Sequence, residues 1–331
     1  MKSVVVFGGS GFVGTHVTPL LLEKYDRVYL ADIKNPCWHP GTSLPDDKRI
    51  VYVKCDVRNP IDITLFDGTI DCIVNLAAIH TSPGHPAHEY FEANIHGAKN
   101  ICAYAENVGC QKIIFTSSIS VYGPGEDEKN EELIPMPAIP YGSSKIIAEY
   151  IHREWFNKAP ETRVLMTLRP GVIFGKGEGG NFTRIANALQ KGLFAYPGRD
   201  STIKACLYVK DICTFIVGSI DRVPGSYLFN FCYPEKITIK QIVQTFKKAF
   251  GYKAPEIVIP FKIIAAGAAC VNLIPLPFIK KMGLVPERIV KLIKSTNISS
   301  LKLMNSGFKF GYTLEEALKD WAKDCGGKSL Y

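Results

Sequence analysis

The sequence predicts an α/β fold built on a doubly wound parallel sheet. Apolar runs typical of buried strands alternate with helical runs along much of the chain, which is the pattern of a parallel sheet with helical crossovers. The first strand also leads directly into a glycine-rich turn and a helix. With 331 residues, 47% hydrophobic and 21% charged, the chain suits one large domain with an appended lobe, or two closely packed domains.

The first strand, turn and helix form a candidate dinucleotide site. Residues 4–7 are all apolar, and three glycines follow at three-residue intervals at the start of a helix predicted at 12–23. Glycines allow a tight turn with close backbone approach, and the helix N-terminus offers free N–H groups to a pyrophosphate. The alternative is a tight strand-to-helix turn without a ligand. The expected contacts are Gly8, Gly11, Phe12, Val13 and Gly14.

The second and third strands indicate which dinucleotide binds. A strand predicted at 27–31 ends at Asp32, where an acidic residue accepts hydrogen bonds from the adenosine ribose. A carboxylate there disfavours a 2′-phosphate, so NAD is preferred over NADP, although the nearby Lys34 keeps NADP open. The third strand, 50–54, is followed by Asp56, which we expect to meet the adenine.

The fourth and fifth strands bring small and polar residues to the same edge of the sheet. Small residues after the fourth strand, 72–76, let a cofactor pass over the carboxyl edge, where ligands bind in open α/β folds. The fifth strand, 112–115, leads into a serine-rich segment that contains Ser118. The expected cofactor contacts after the fourth strand are Leu76, Ala77 and Ala78.

The remaining elements continue the alternation. The polar, proline-rich segment 123–140 is predicted to be a surface loop, and the glycine-rich run 175–181 a flexible loop over a site. Further helices are predicted at 89–108, 140–157, 185–191, 238–250 and 313–322. Further strands are predicted at 163–168, 205–209 and 227–231.

Tyr141 and Lys145 form a candidate proton-transfer pair. They are four positions apart at the start of a predicted helix, so they lie on one face, one turn apart. A free tyrosine has a pKa of about 10, and we expect the lysine ammonium and a positive nicotinamide ring to lower it. Ser118, at the end of the neighbouring strand, can hydrogen-bond the same substrate oxygen. The three residues predict general acid/base chemistry at an alcohol oxygen.

Composition and charge limit which binding partners and which cellular compartment we expect. The net charge is +8, with 39 Lys and Arg spread along the chain, which suits an anionic ligand such as a nucleotide and also an anionic membrane surface. No nucleic-acid motif is found, so no such partner is expected. The ten cysteines form no C-x-x-C pair and no signal peptide is recognised, so a cytoplasmic location is expected. Prolines separate His80, His85 and His88, which favours a loop over a metal site.

An uncharged stretch runs between Lys262 and Lys280. It is at the short end of the length needed to span a bilayer, and it contains an asparagine and two prolines. One interpretation is a buried helix followed by an apolar loop. The other is weak contact with a membrane surface through residues 263–279, which lysines flank.

Taken in order, these motifs resemble the extended short-chain dehydrogenase/reductase family, in its NAD-dependent epimerase/dehydratase group. The resemblance covers nearly the whole chain. The matching positions are 8–14, Asp32, Asp56, Val57, 75–78, Asn94, Ser117, Ser118, 121–123, 141–145, Arg169, Pro170 and 208–211.

The resemblance implies a Rossmann-like NAD(P) domain and a smaller C-terminal substrate-binding lobe. It further implies a Ser118-Tyr141-Lys145 triad in which the lysine also binds the nicotinamide ribose. Many members act on the C4 hydroxyl of nucleotide-linked sugars, and many are homodimers through the helices expected here at 89–108 and 141–157. The expected domain comprises 1–170 and 205–230, and the lobe 171–204 and 231–331. The further cofactor contacts implied are Val57, Asn94, Tyr141, Lys145 and Pro170.

Positions that depart from the family pattern exclude some of the family's reactions. Ile119 and Ser120 stand where family dehydratases carry an Asp-Glu pair and decarboxylases an acid, so neither reaction is expected. Lys204 stands where galactose-type 4-epimerases carry an arginine, and it offers a phosphate a point charge instead of a fork. The expected function is an NAD-dependent epimerase or 4-ketoreductase of a nucleotide-linked sugar. The expected substrate contacts are His80, Ser118, Asn181 and Lys204.

Two alternatives stay open. The run 168–175 also resembles the sterol-type 3β-hydroxy dehydrogenases, and with the apolar stretch 263–279 it keeps a dehydrogenase of a hydrophobic alcohol in view. The second alternative is a non-catalytic NAD-sensing protein, against which the intact Ser118, Tyr141 and Lys145 argue.

Overall fold

The computed structural model of the chain describes residues 1–36, 43–81, 84–263, 293–327 and 330. Its strands are β1 (Lys2–Phe7), β2 (Arg27–Asp32), β3 (Ile50–Lys54), β4 (Thr69–Asn75), β5 (Lys112–Thr116), β6 (Gly125–Lys129), β7 (Val164–Pro170), β8 (Val172–Phe174), β9 (Ala195–Pro197), β10 (Cys206–Tyr208), β11 (Gly225–Phe231), β12 (Ile257–Ile259) and β13 (Thr296–Ile298). Its α-helices are α1 (Phe12–Leu21), α2 (Ala87–Phe91), α3 (Gly97–Asn107), α4 (Pro140–Asn157), α5 (Asn181–Gln190), α6 (Val209–Gly218), α7 (Ile239–Phe250), α8 (Leu301–Asn305) and α9 (Leu314–Asp324).

A seven-stranded parallel sheet with the order β11-β7-β5-β4-β1-β2-β3 forms the centre of the fold. It confirms the predicted doubly wound α/β fold. The strand order reverses direction at β1, which pairs with β2 on one side and β4 on the other. In open α/β sheets, ligands bind in the crevice at the carboxyl ends of the strands at such a point.

The two faces of the sheet bury separate halves of the core. Because side chains alternate along a strand, Val4 and Val6 of β1 face one cluster, while Val5 and Phe7 face the other. The first cluster includes Val17 of α1 and Ile212 of α6, and the second includes Tyr104 of α3 and Trp155 of α4. Every residue from Val4 to Phe7 is fully buried, as the uninterrupted apolar run predicts.

Two helices of the C-terminal half begin at capping boxes. The Thr238 hydroxyl accepts a hydrogen bond from the Gln241 N–H, and the Gln241 side-chain oxygen accepts one from the Thr238 N–H. Thr313 and Glu316 do the same at the start of α9. Each pair satisfies N–H groups that a helix leaves unpaired in its first turn, which explains why α7 and α9 begin where they do.

The segment predicted as a surface loop at 123–140 contains the strand β6, so this part of the prediction was incomplete. β6 pairs in parallel with β13, far along the chain. Glu126 strengthens this pairing by accepting bonds from the N–H and hydroxyl of Ser295, at 3.2 and 2.8 Å. A charged strand held by a distant partner has no hydrophobic alternation, so periodicity does not reveal it.

The helix predicted at 89–108 contains a π-helical turn. The described helical run consists of α2, a π segment at Glu92–His96 and α3. Asn94 lies inside the π segment and is buried. π turns often occur at functional sites because they redirect a side chain from the regular helical face.

The apolar stretch 263–279 lies outside the described residues except for Ile263. Within the described part of the chain, no helix is long and apolar enough to cross a bilayer.

Candidate active site

The glycine turn lies against the segment that follows β4, at the crevice. Gly8 has φ +77°, and a Cβ built there would lie 2.7 Å from the Ala77 nitrogen. A Cβ on Gly14 would lie 2.4 Å from the Gly9 carbonyl oxygen. Both separations are too short for a side chain, so these positions require glycine. The turn therefore combines close backbone packing with the N-terminus of α1, which suits a pyrophosphate.

Asp32 lies beside this turn at the end of β2. One carboxylate oxygen accepts the Ser10 N–H at 3.1 Å, and the other accepts the Lys34 N–H at 3.1 Å. Burial raises the pKa of Asp32, and the two backbone N–H groups oppose that shift. A carboxylate so placed suits the ribose hydroxyls of NAD.

The predicted adenine contacts follow β3. Asp56 pairs with Arg58 at 2.6 Å, and bonds from Arg58 lower its pKa. The Val57 carbonyl accepts a 2.8 Å bond from Asn100, and Gly97 packs closely on the Val57 side chain. Val57 is therefore fixed against the start of α3. Direct contacts of Asp56 and Val57 with a cofactor stay predictions.

Asn94 joins the segment after β4 to α4. Its side-chain oxygen accepts the Ile79 N–H at 3.1 Å, and its amide nitrogen lies 3.3 Å from the Ile79 carbonyl oxygen. The same nitrogen donates to the Ser144 hydroxyl at 2.8 Å. These contacts make Asn94 a positioning residue between Ala78 and Lys145, and a direct cofactor contact stays a prediction.

The structure brings Ser118, Tyr141 and Lys145 together at the junction of β5 and α4. Lys145 is almost fully buried, and its ammonium donates to the Thr116 carbonyl at 2.9 Å. Tyr141 is on the first turn of α4, within hydrogen-bonding reach of Ser118. Pro140, which has no N–H to leave unpaired, begins this helix and sets its position.

The chain's own residues do not produce the expected lowering of the Tyr141 pKa. Burial raises the pKa of Tyr141 to about 12, and the hydrogen bond with Ser118 opposes this only partly. Burial also lowers the pKa of Lys145 to about 7, against the attraction of Glu149. Desolvation disfavours the charged form of both groups, and sequence spacing does not report it.

The predicted substrate contacts lie on separate elements. His80 is exposed on the segment after β4. Pro170, a predicted cofactor contact, ends β7 beside Phe231 of β11, and its contact with NAD stays a prediction. Lys204 is half-buried; its ammonium donates to the Lys294 carbonyl at 2.9 Å, and burial lowers its pKa to about 8. Asn181 is the first residue of α5.

A sequence profile described as "NAD dependent epimerase/dehydratase family" matches residues 4–232. The chain belongs to the NAD-dependent epimerase/dehydratase family. NAD is the cofactor, and the residues fit it: the Gly8 and Gly14 turn leaves no room for side chains, and Asp32 presents a carboxylate at the end of β2.

Named relatives of this family member are 4-epimerases. The chain is 30% identical, over 96% of its length and 93% of the relative's, to "N-acetyl-alpha-D-glucosaminyl-diphospho-ditrans,octacis-undecaprenol 4-epimerase" of Escherichia coli O157:H7. It is 25% identical to "UDP-glucose 4-epimerase" of Bacillus subtilis strain 168, over 76% of this chain and 84% of the relative. These relatives do not support the alternative of a steroid-like dehydrogenase.

A solved structure with the same fold is UDP-glucuronic acid 4-epimerase from Bacillus cereus in complex with UDP-glucuronic acid and NAD. Its TM-score is 0.76 at 18% identity, covering 99% of this chain and 100% of that chain. At this identity the likeness shows the fold.

A buried polar network next to Lys145 was not predicted from the sequence. Arg169 of β7 makes a two-bond ion pair with Glu149 of α4, at 2.9 and 2.6 Å, and both side chains are almost fully buried. Arg169 also donates to the Tyr122 hydroxyl at 2.6 Å, and Ser117 donates to Glu149. Glu149 is one turn beyond Lys145, so the network fixes the inner face of α4.

Tyr90 is a second residue that the sequence analysis missed. Its hydroxyl donates to the Thr81 carbonyl at 2.5 Å, and its ring centre is 6.2 Å from that of Tyr141. Tyr90 therefore packs beside Tyr141 and fixes the end of the segment after β4. A lone buried aromatic on a helix gives no sequence signal that separates this role from core packing.

Proposed function

We propose that the chain is an NAD-dependent 4-epimerase of a sugar attached through a diphosphate to a nucleotide. The observation that carries the proposal is the convergence of Ser118, Tyr141 and Lys145 at the end of β5, beside a glycine turn and Asp32 that fit NAD. The names of its relatives support 4-epimerisation over net reduction.

The chain's own residues supply binding and proton transfer. NAD, when bound, supplies the hydride acceptor. Tyr141 takes the proton of the sugar 4-hydroxyl and returns it to the same oxygen after the sugar presents its other face. We expect Ser118 to donate a hydrogen bond to that oxygen. We expect the protonated form of Lys145, which the Thr116 carbonyl holds one helical turn from Tyr141, to favour the phenolate.

The proposed substrate-binding lobe comprises 171–204 and 231–331, and the NAD domain 1–170 and 205–230. Part of the topology supports this division, since β7 and β11 belong to the main sheet and β9 pairs with β12 within the proposed lobe. The sheet of β8 and β10 crosses the proposed boundary, because β10 lies within 205–230. We place the diphosphate near Lys204 and Asn181, and the sugar near Ser118 and His80.

A direct assay tests the proposal. Purified protein is incubated with UDP-N-acetylglucosamine or UDP-glucose, and the C4 epimers are separated and quantified. We expect interconversion without net NADH formation, because hydride leaves and returns within one turnover. Stoichiometric NADH accumulation, or turnover of hydrophobic alcohols alone, would contradict epimerisation.

A polyprenol is the second candidate for the carrier. The relative matched over 96% of this chain is named for a diphospho-undecaprenol substrate. The same assay with N-acetylglucosaminyl-diphospho-polyprenol in detergent distinguishes the carriers. Turnover at least about tenfold faster with the lipid-linked sugar at equal concentration would assign the polyprenol, and the reverse ratio the nucleotide.

We also propose that the chain is a homodimer through α4. Apolar side chains are exposed on this helix and on the adjoining segment: Ile134, Met136, Ile147 and Tyr150. Their close placement favours burial against a second copy. Light scattering should give twice the chain mass, and Ile147→Glu should shift it to the monomer mass. A monomeric parent protein would contradict the proposal.

A further inference from the structure

A strip of exposed apolar side chains lies on the small two-stranded sheet. The strip consists of Leu193, Ile257, Val258, Ile259, Phe261 and Ile263, whose exposed fractions run from 36 to 77%. Leu193 precedes β9 by two residues, and β12 pairs in parallel with β9 from Ile257–Ala195 to Ile259–Pro197. The strip is therefore continuous along the backbone from Ile257 to Ile263, and Leu193 lies at the opposite end of the two-stranded sheet from Phe261.

The exposure of this strip is unusual for a strand. In a half-buried strand, alternate side chains enter the core, but all three residues of β12 are exposed. The partner strand β9 buries the Tyr196 side chain, so the two-stranded sheet is anchored to the lobe. Contiguous apolar surface of this kind marks a site of contact with another surface.

The charges around the strip are predominantly positive. Lys191, Lys253 and Lys262 are exposed within four residues of it along the chain, and within the described residues none of the three forms an ion pair. The nearest carboxylate in sequence, Glu256, is neutralised by Lys247 at 3.0 Å. An apolar strip with unneutralised lysines is complementary to an anionic phospholipid surface.

We propose that this strip docks the protein on an anionic phospholipid bilayer. Phe261 and Ile263 enter the boundary between headgroups and acyl chains, while the lysines remain at the phosphates. This is contact from one side, without a spanning segment. The proposal goes beyond 4-epimerisation and holds for either carrier.

Docking through the strip would also place the bilayer near the part of the lobe where we propose that the substrate diphosphate binds. The Gly198 N–H donates to the Ile259 carbonyl at 2.9 Å, directly at the end of β12. The chain then continues to Arg199 and Lys204. The bilayer would therefore lie beside the region where we place the substrate diphosphate.

Co-sedimentation with vesicles tests the proposal in the full-length protein. We expect the protein to sediment with phosphatidylcholine vesicles that contain phosphatidylglycerol, and much less with phosphatidylcholine alone. High salt should release most of it, because screening weakens the lysine attraction. Absence of sedimentation with the anionic vesicles would overturn the proposal, and so would equal binding to both vesicle types.

Matched variants locate the contact. Phe261→Ser with Ile263→Ser should lower the partition coefficient at least about tenfold, since two apolar side chains no longer enter the bilayer. Val223→Ser with Leu301→Ser removes two exposed apolar side chains outside the strip and should leave binding unchanged. Lys253→Glu with Lys262→Glu should lower binding to anionic vesicles by roughly fivefold or more per charge reversed.

The same variants separate docking from other uses of the strip. Turnover of UDP-N-acetylglucosamine in buffer should be unchanged in the strip variants, so failure of docking and failure of epimerisation are read independently. Equal vesicle binding by parent and strip variants would place the contact elsewhere and overturn the proposal. A change in oligomeric mass or thermal stability without vesicle binding would show that a second copy, or another part of the chain, covers the strip, and would overturn it too.

Discussion

Replacing Tyr141 by phenylalanine should lower kcat by about 10²–10⁴-fold while NAD still binds. The substitution removes only the hydroxyl that exchanges a proton with the sugar, and positioned general acid/base groups contribute about 10²–10⁴-fold. The residues that fit NAD lie elsewhere: the turn at Gly8 and Gly14, and Asp32. Epimerisation rate and the amount of NAD released on denaturation measure the two effects.

A matched control for this variant lies on the same helix. Tyr150→Phe removes a hydroxyl from an exposed tyrosine of α4 and should leave both kcat and bound NAD unchanged. If Tyr141→Phe kept more than about a tenth of the parent rate, another group would have to carry the proton. If it lost NAD as well, Tyr141 would be needed for binding, and its loss of activity would not assign a proton-transfer role.

The placement of the candidate catalytic residues was predictable because its signal is local. Tyr141 and Lys145 share one helix face, and Ser118 follows a short apolar strand, so spacing alone brought them near one another. Asp32 at the end of β2 was predictable for the same reason. Apolar periodicity likewise predicted all seven strands of the main sheet, with boundaries displaced by at most a few residues.

What the sequence did not reveal depends on contacts between distant segments. The pairing of β6 with β13 joins a charged segment to a strand far along the chain. The direction of the Tyr141 pKa shift depends on how deeply the fold buries the hydroxyl. Neither property has a periodic pattern, because burial and long-range pairing are set by packing of the whole domain.

The Arg169–Glu149 ion pair also joins distant segments, so the sequence did not reveal it. Arg169→Met should destabilise the protein by about 3–5 kcal/mol. The substitution leaves the Glu149 carboxylate buried without its cation, and it also removes the bond to Tyr122. The melting temperature should fall by roughly 10 °C, measured by differential scanning calorimetry.

Two further variants decide whether the unpaired charge is the cause. Arg153→Met removes an exposed arginine one turn from Glu149 on α4 and should leave the melting temperature nearly unchanged. Arg169→Met combined with Glu149→Met replaces both charges by apolar groups and should recover a large part of the lost stability, because no uncompensated charge remains. If the double variant were as unstable as Arg169→Met, the loss would come from packing and not from Glu149. If Arg169→Met melted like Arg153→Met, the pair would not hold β7 against α4.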